Sequence, residues 1–151
     1  MTPRFGEPPQ PGRRYKIRPG AYAILARGTE LLLTHQADPE PEFQLPGGGI
    51  DPRESPVAAL MREVVEETGW RIAKPQRVGV FRRFVFMPEY DLWAEKICTI
   101  YSARPVYAIS APTEAGHQAV WVPYHKALSV LGNPGDRAVL QHYGRASGLN
   151  S

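Results

Sequence analysis

The stretch LPGGGIDPRESPVAALMREVVEETGW, Leu45 to Trp70, sets Glu54, Glu63, Glu66 and Glu67 around Arg62. Crowded like charges cost stability unless something positive joins them. Hard divalent cations such as Mg²⁺ meet that need, because they take carboxylate oxygens and share them with waters and substrate phosphates. At about 100° per residue, Glu63, Glu66 and Glu67 fall within an arc of roughly 100° on a helix, with Val57, Met61, Val64 and Val65 on the opposite side. Glu66 and Glu67 stand in the last turn, where the helix dipole disfavours negative charge by typically ~0.3 to 1 kcal/mol each. Glu63 and Glu67 also repel one another at a spacing of four. Local rules broken together at one place mark a functional site. Arg62, on the flank of the acidic face, can fork onto Glu54 across the helix start. The glycines at 47 to 49 let backbone carbonyls or amides approach a metal or phosphate.

The elements that must position these residues are legible nearby. Ser55 is an N-cap type, Pro56 suits the first helical position and Gly69 suits a helix end, which predicts one helix over residues 56 to 68. Upstream, the apolar runs AYAIL and ELLLTHQ flank ARGT and predict a hairpin, so two strands precede the glycine loop. Downstream, RVGVFRRFVFM and EKICTIYSARPVY read as longer strands and AVWVP as a third. YHKALSVL and DRAVLQHYGRA read as closing helices, the second started by Asp136 after the turn GNPG. There is no internal repeat. Strands, helix, strands and helices in that order predict an α/β or α+β sandwich.

The chain as a whole limits the partners. Its 151 residues, 42% of them hydrophobic, fit one globular domain. Residues 1–14, with Pro3, Pro8, Pro9 and Pro11, read as a flexible arm, 15–147 as the domain and 148–151 as a tail. Cys98 is the only cysteine, and the first twenty residues hold no apolar run fit for a signal peptide. A reducing cytoplasm is therefore the expected location. No segment reaches the roughly 20 apolar residues of a membrane span, and no membrane is expected. The net charge of +3 is spread or paired, as in Arg13–Arg14 and Arg82–Arg83. That argues against duplex nucleic acid and for small anionic substrates.

Gly48, Glu54, Arg62, Glu63, Val64, Glu66, Glu67, Gly69 and Trp70 together fit Gx5Ex7REUxEExGU, with U a bulky apolar residue. The pattern resembles the Nudix box, complete at every charged position. GAYAIL, ELLLTH, FQLPGG and VWVP resemble the strands that flank the box in that family. The resemblance implies an α/β/α sandwich with a mixed β-sheet and a loop-helix-loop metal site. It also implies hydrolysis of a nucleoside diphosphate linked to another group by water attack on phosphorus. By the same resemblance, Mg²⁺ or Mn²⁺ would be held by Glu63, Glu66 and Glu67, with the Gly48 carbonyl as a further ligand and Glu54–Arg62 as the supporting ion pair. The general base would be Glu66 or Glu67. Glu114 and His117, in PTEAGHQAVWVP, are further catalytic or metal candidates, His117 also on the site's substrate side.

Arg82 and Arg83, neighbours on a strand, point to opposite faces, so one of them can face a phosphate. Tyr90, with Trp93 and Phe43, could stack on a base. The expected partner is a small-molecule nucleotide-type diphosphate, and a homodimer stays open. Two other readings are a Nudix-like nucleotide-binding or sensor domain that does not cleave, and an isomerase-type use of the fold. The complete set of carboxylates favours catalysis over the first. The second would need Cys98, which reads as a small buried residue.

Overall fold

Alternation along the first strand decides the layering. In β1 (Lys16–Arg27), Ala21, Ala23 and Leu25 pack into one apolar layer, while Tyr22, Ile24 and Ala26 pack into another. A strand enclosed on both sides needs cover on both faces of its sheet. The computed structural model of the protein, which describes residues 2–38 and 40–149, shows where that cover comes from. After β1 follow β2 (Glu30–Gln36), β3 (Glu42–Gln44), β4 (Gly47–Gly49), α1 (Pro56–Thr68), β5 (Trp70–Met87) and β6 (Leu92–Ala108). β7 (His117–Pro123), α2 (Tyr124–Val130) and α3 (Pro134–Ser147) complete the order.

The sheet is mixed. β1 runs parallel to β6, from Lys16 opposite Ala94 to Leu25 opposite Ala103, and β6 is antiparallel to β5. β2 lies between β3 and β7 and meets β1 at the hairpin end, where Ala26 faces Leu31. On one face, Leu60 and Val64 of α1 pack on Ala21, Ala23, Leu25, Leu32 and Ile72. On the other, Tyr124, Ala127 and Leu140 from α2 and α3 pack on Ile24, Leu33, Phe81, Cys98 and Ile100. This is the expected α/β/α sandwich. No helix among the described residues is long and apolar enough to cross a membrane.

Several local expectations are corrected. Three strands rather than two precede the glycines, and the glycines are themselves a strand, with Gly20, Ala21 and Tyr22 opposite Gly49, Gly48 and Gly47. β5 starts at Trp70, directly after the helix, because bulges around Lys74 and Pro75 break its alternation without ending its pairing to β6. Val57, expected on the apolar side of α1, is exposed. α3 begins at Pro134 rather than Asp136: the Asn133 side chain caps it, accepting the Gly135 N–H at 2.8 Å. Asn and Asp are both good caps, and proline at the first helical position decides between them. Asp136 is instead buried in the first turn, where the Leu45 backbone hydrogen-bonds its carboxylate and burial pushes the carboxyl up to about 7.

Within the proline-rich start, Pro3 and Phe5 lie along β5. Arg82 N–H donates to the Pro3 carbonyl at 2.9 Å, and Phe5 N–H donates to the Arg82 carbonyl at 3.0 Å. The Phe5 ring meets Phe81 edge-on, centroids 5.7 Å apart. Gly148 and Leu149 follow α3, while Met1 of the expected arm and Asn150 and Ser151 of the expected tail lie outside the described residues.

Candidate metal and catalytic site

α1 is fixed at both ends by its own sequence. Ser55 Oγ accepts the Ala58 N–H at 3.1 Å, and Gly69, at φ 75°, returns its N–H to the Val65 carbonyl at 2.8 Å. Between these caps Arg62 is the centre of the charged face. Its Nε and Nη2 fork onto Glu54 at 2.7 and 2.9 Å, and Nη1 reaches Glu63 at 2.9 Å and Glu66 at 3.3 Å. Nη2 also donates to the Gly49 carbonyl at 3.2 Å, tying the glycine strand to the helix. Asp51, which the sequence reading did not single out, stands 3.5 Å from the same guanidinium. The Arg62 hydrogen bonds hold the Glu54 carboxyl down at about 2.

The glycines are required by what they touch. A side chain at Gly47, whose φ is 144°, would collide with the Ala21 carbonyl oxygen. A Cβ at Gly48 would stand 2.5 Å from the Glu63 carboxylate carbon. Gly47 N–H donates to Glu67 Oε1 at 2.9 Å. Glu67 is only 5% exposed, and burial pushes its carboxyl up to about 9 despite that hydrogen bond. Glu63 is pushed up by burial as well, with Arg62 opposing. Glu66 is the open one, its side chain 40% exposed.

The loop before β7 closes over the end of α1. Thr113 and Glu114 both donate their N–H to the Glu66 carbonyl, at 2.8 and 3.0 Å, capping a helix end that otherwise repels acidic groups. Glu114 thereby joins two groups whose potential ligand atoms lie within 4.8 Å of one another: Glu63, Glu66 and Glu114, and Glu67, Glu114 and His117. His117 Nδ1 is 3.6 Å from Glu67 Oε2, and Nε2 is 4.0 Å from Glu114 Oε1. The sequence offered Glu114 and His117 as catalytic or metal candidates ahead of a strand that could bring them to the site; nothing in their spacing gives the pairing with Glu67.

The remaining candidates are not brought into this cluster. Arg82 faces Glu95 at 3.5 Å, and Arg83, opposite Lys96 in β6, acts through its charge on Asp136. Tyr90 lies in the β5–β6 turn under the Arg18 guanidinium, 4.5 Å from its ring centre. Trp93 carries Arg13 at 3.7 Å, and Phe43 packs edge-on to His35 at 4.7 Å.

The donor set fits a divalent cation. Burial holds Glu63 and Glu67 against the Gly47–Gly48 backbone in a cradle that a Cβ at Gly48 would fill, and buried carboxylates of this kind call for a positive partner. Residues 16–143 match the family model of the NUDIX domain. A Bacillus subtilis protein carrying the provisional name 8-oxo-dGTP diphosphatase is 36% identical over 74 residues, 49% of this chain and 50% of that relative. An RNA pyrophosphohydrolase of Acidiphilium cryptum is 42% identical over 59 residues, 36% of this chain and 35% of its own. The matches thus span half or less of these relatives' lengths. Among solved structures, a NUDIX hydrolase from Nitrosomonas europaea superposes with a TM-score of 0.72 at 18% identity, covering 87% of this chain and 90% of that one. The box on α1, the layers around it and a family match across most of the chain lead to one conclusion: the chain belongs to the NUDIX domain family.

Proposed function

We propose that the protein hydrolyses a nucleoside diphosphate linked to a further group, with Mg²⁺ or Mn²⁺ as cofactor. The observation that carries this reading is the convergence of Glu63, Glu66, Glu67 and Glu114 beside the glycine strand. The names of the relatives, a diphosphatase and an RNA pyrophosphohydrolase, point to the same class of bond. Bound at this site, the cation would neutralise the diphosphate and make a water acidic enough to attack phosphorus at neutral pH.

The chain's own residues divide the remaining work. Glu63, Glu67 and the Gly48 carbonyl would hold the cation, and Glu66, the most open of the box carboxylates, would accept the proton of the attacking water. Attack forms one P–O bond and breaks the bridging P–O bond, and the departing phosphate leaves as the second product. Arg62 holds Glu54 and the Gly49 carbonyl together, so the glycine strand stays in register with the helix.

The test is incubation with Mg²⁺ or Mn²⁺ over nucleoside triphosphates, dinucleoside polyphosphates, nucleotide sugars and a 5′-triphosphorylated RNA oligonucleotide. A nucleoside monophosphate, phosphate or pyrophosphate product is expected from at least one class. Glu66→Gln should cut its rate by about 10²-fold or more while the protein stays folded. Tight nucleotide binding without turnover under either cation would instead establish the sensor reading.

A further inference from the structure

We propose that His117 is a nitrogen ligand for the divalent cation, acting through Nδ1 beside Glu67, and that it makes the site prefer Mn²⁺ to Mg²⁺. This rests on the reading of the site as a metal-dependent hydrolase centre.

His117 Nδ1 is shut off from solvent and has no hydrogen-bond partner among the described residues. A buried polar atom left unpaired costs about 1 to 3 kcal/mol, so a partner is called for. Glu67 Oε2 stands 3.6 Å away, too far for a hydrogen bond. Glu67 Oε1 is already taken by the Gly47 N–H, which leaves Oε2 free to ligate. The 3.6 Å spacing is less than twice a metal–ligand distance of about 2.1 Å, so one cation could reach both atoms.

The other ring nitrogen supports the same assignment. Nε2 is 4.0 Å from a Glu114 carboxylate oxygen, so a ring that ligates through Nδ1 turns its other nitrogen toward an acceptor. The backbone holds the ring there: His117 begins β7 opposite Gln36, and its N–H reaches the Glu114 carbonyl at 3.4 Å. Mg²⁺ favours an all-oxygen shell and dehydrates reluctantly, whereas Mn²⁺, the weakest of the first-row series toward nitrogen, still accepts an imidazole more readily than Mg²⁺ does. A site of Glu67 and His117 therefore selects Mn²⁺ from the pair.

The full chain with Mn²⁺ alone tests this by pulsed electron paramagnetic resonance, with cation affinities measured by titration. Expected are a ¹⁴N coupling to the bound Mn²⁺, its loss in His117→Gln, and a Mn²⁺ affinity at least about 10-fold weaker in that variant, with Mg²⁺ affinity changed by less than about 3-fold. Circular dichroism checks that the variant is folded, and the wild-type spectrum needs no variant. Mn²⁺ that binds without ¹⁴N coupling, or equal weakening of both cations in the variant, overturns the proposal. If hydrolysis proceeds in that case, the enzymatic reading stands without it; if the protein neither binds Mn²⁺ nor hydrolyses any substrate, both fall.

Discussion

Gly48 and Glu63 contend for one space, and a single methyl group separates fold from function there. The Gly48 backbone is not in the left-handed region, and the atoms a Cβ would meet belong to the end of a flexible side chain. Gly48→Ala should therefore fold with a melting temperature within about 4 °C of the parent, since roughly 1 kcal/mol of strain shifts it by about that much. The Glu63 carboxylate must swing away, so cation affinity should fall by about 10-fold or more, read by calorimetric titration. An unchanged affinity would place Glu63 outside the ligand set. Asp136 yields a prediction about pH. Its carboxyl rises from the usual 3.8 to about 7 on burial, so between those values the folded chain binds the proton more tightly than the unfolded one. Its contribution is fully present below about 3.8 and is lost as pH rises through about 7, amounting to on the order of 4 kcal/mol. Asp136→Asn should remove that part of the slope and be more stable than the parent at pH 8, as chemical denaturation across pH would show.

At the scale of the element, α1 carries acidic groups at the end where its dipole opposes them, and Arg62 is the cation that reaches Glu54, Glu63, Glu66 and Asp51. Arg62→Ala should destabilise the metal-free protein by about 1 to 2 kcal/mol, a figure reduced because the guanidinium is partly exposed. The Glu66→Gln, Glu67→Gln double variant should do the opposite: equal or slightly greater stability without metal, and loss of most of the rise in melting temperature that Mg²⁺ gives the parent. Melting each variant with and without Mg²⁺ separates the two. A double variant much less stable than the parent without metal would show that the glutamates hold the fold rather than the cation.

At the scale of the whole molecule, the start of the chain extends the sheet's cover. Phe5 closes over Phe81, a fully buried core residue, and two backbone hydrogen bonds join residues 3 and 5 to Arg82. Deleting residues 1–6 removes both hydrogen bonds and one aromatic contact, together about 2 to 3 kcal/mol. The melting temperature should drop by roughly 4 to 12 °C. Phe5→Ala alone should give about half of that fall, and an unchanged melting temperature in both would mean that the segment adds nothing to the fold in solution.

The sequence by itself determined what is local. Ser55, Pro56 and Gly69 set the helix ends because a cap needs only its own few neighbours, and the box spacing put three glutamates on one side because helix geometry is fixed by the backbone. The two-face burial of β1 could be read the same way in part, as short apolar runs. Tertiary structure alone decided which glutamate is open and which is enclosed. Glu66 and Glu67 are consecutive, yet Glu67 lies under the glycine strand and Glu66 does not. It also decided that the glycines pair with β1, that Arg82 faces Glu95, and that Asp136 is a buried group rather than a cap. Above all it brought Glu114 and His117 to Glu67. Periodicity governs contacts within one helix or strand, whereas contacts between distant segments follow strand register and the path of a loop, and neither is written in the spacing of the residues that meet.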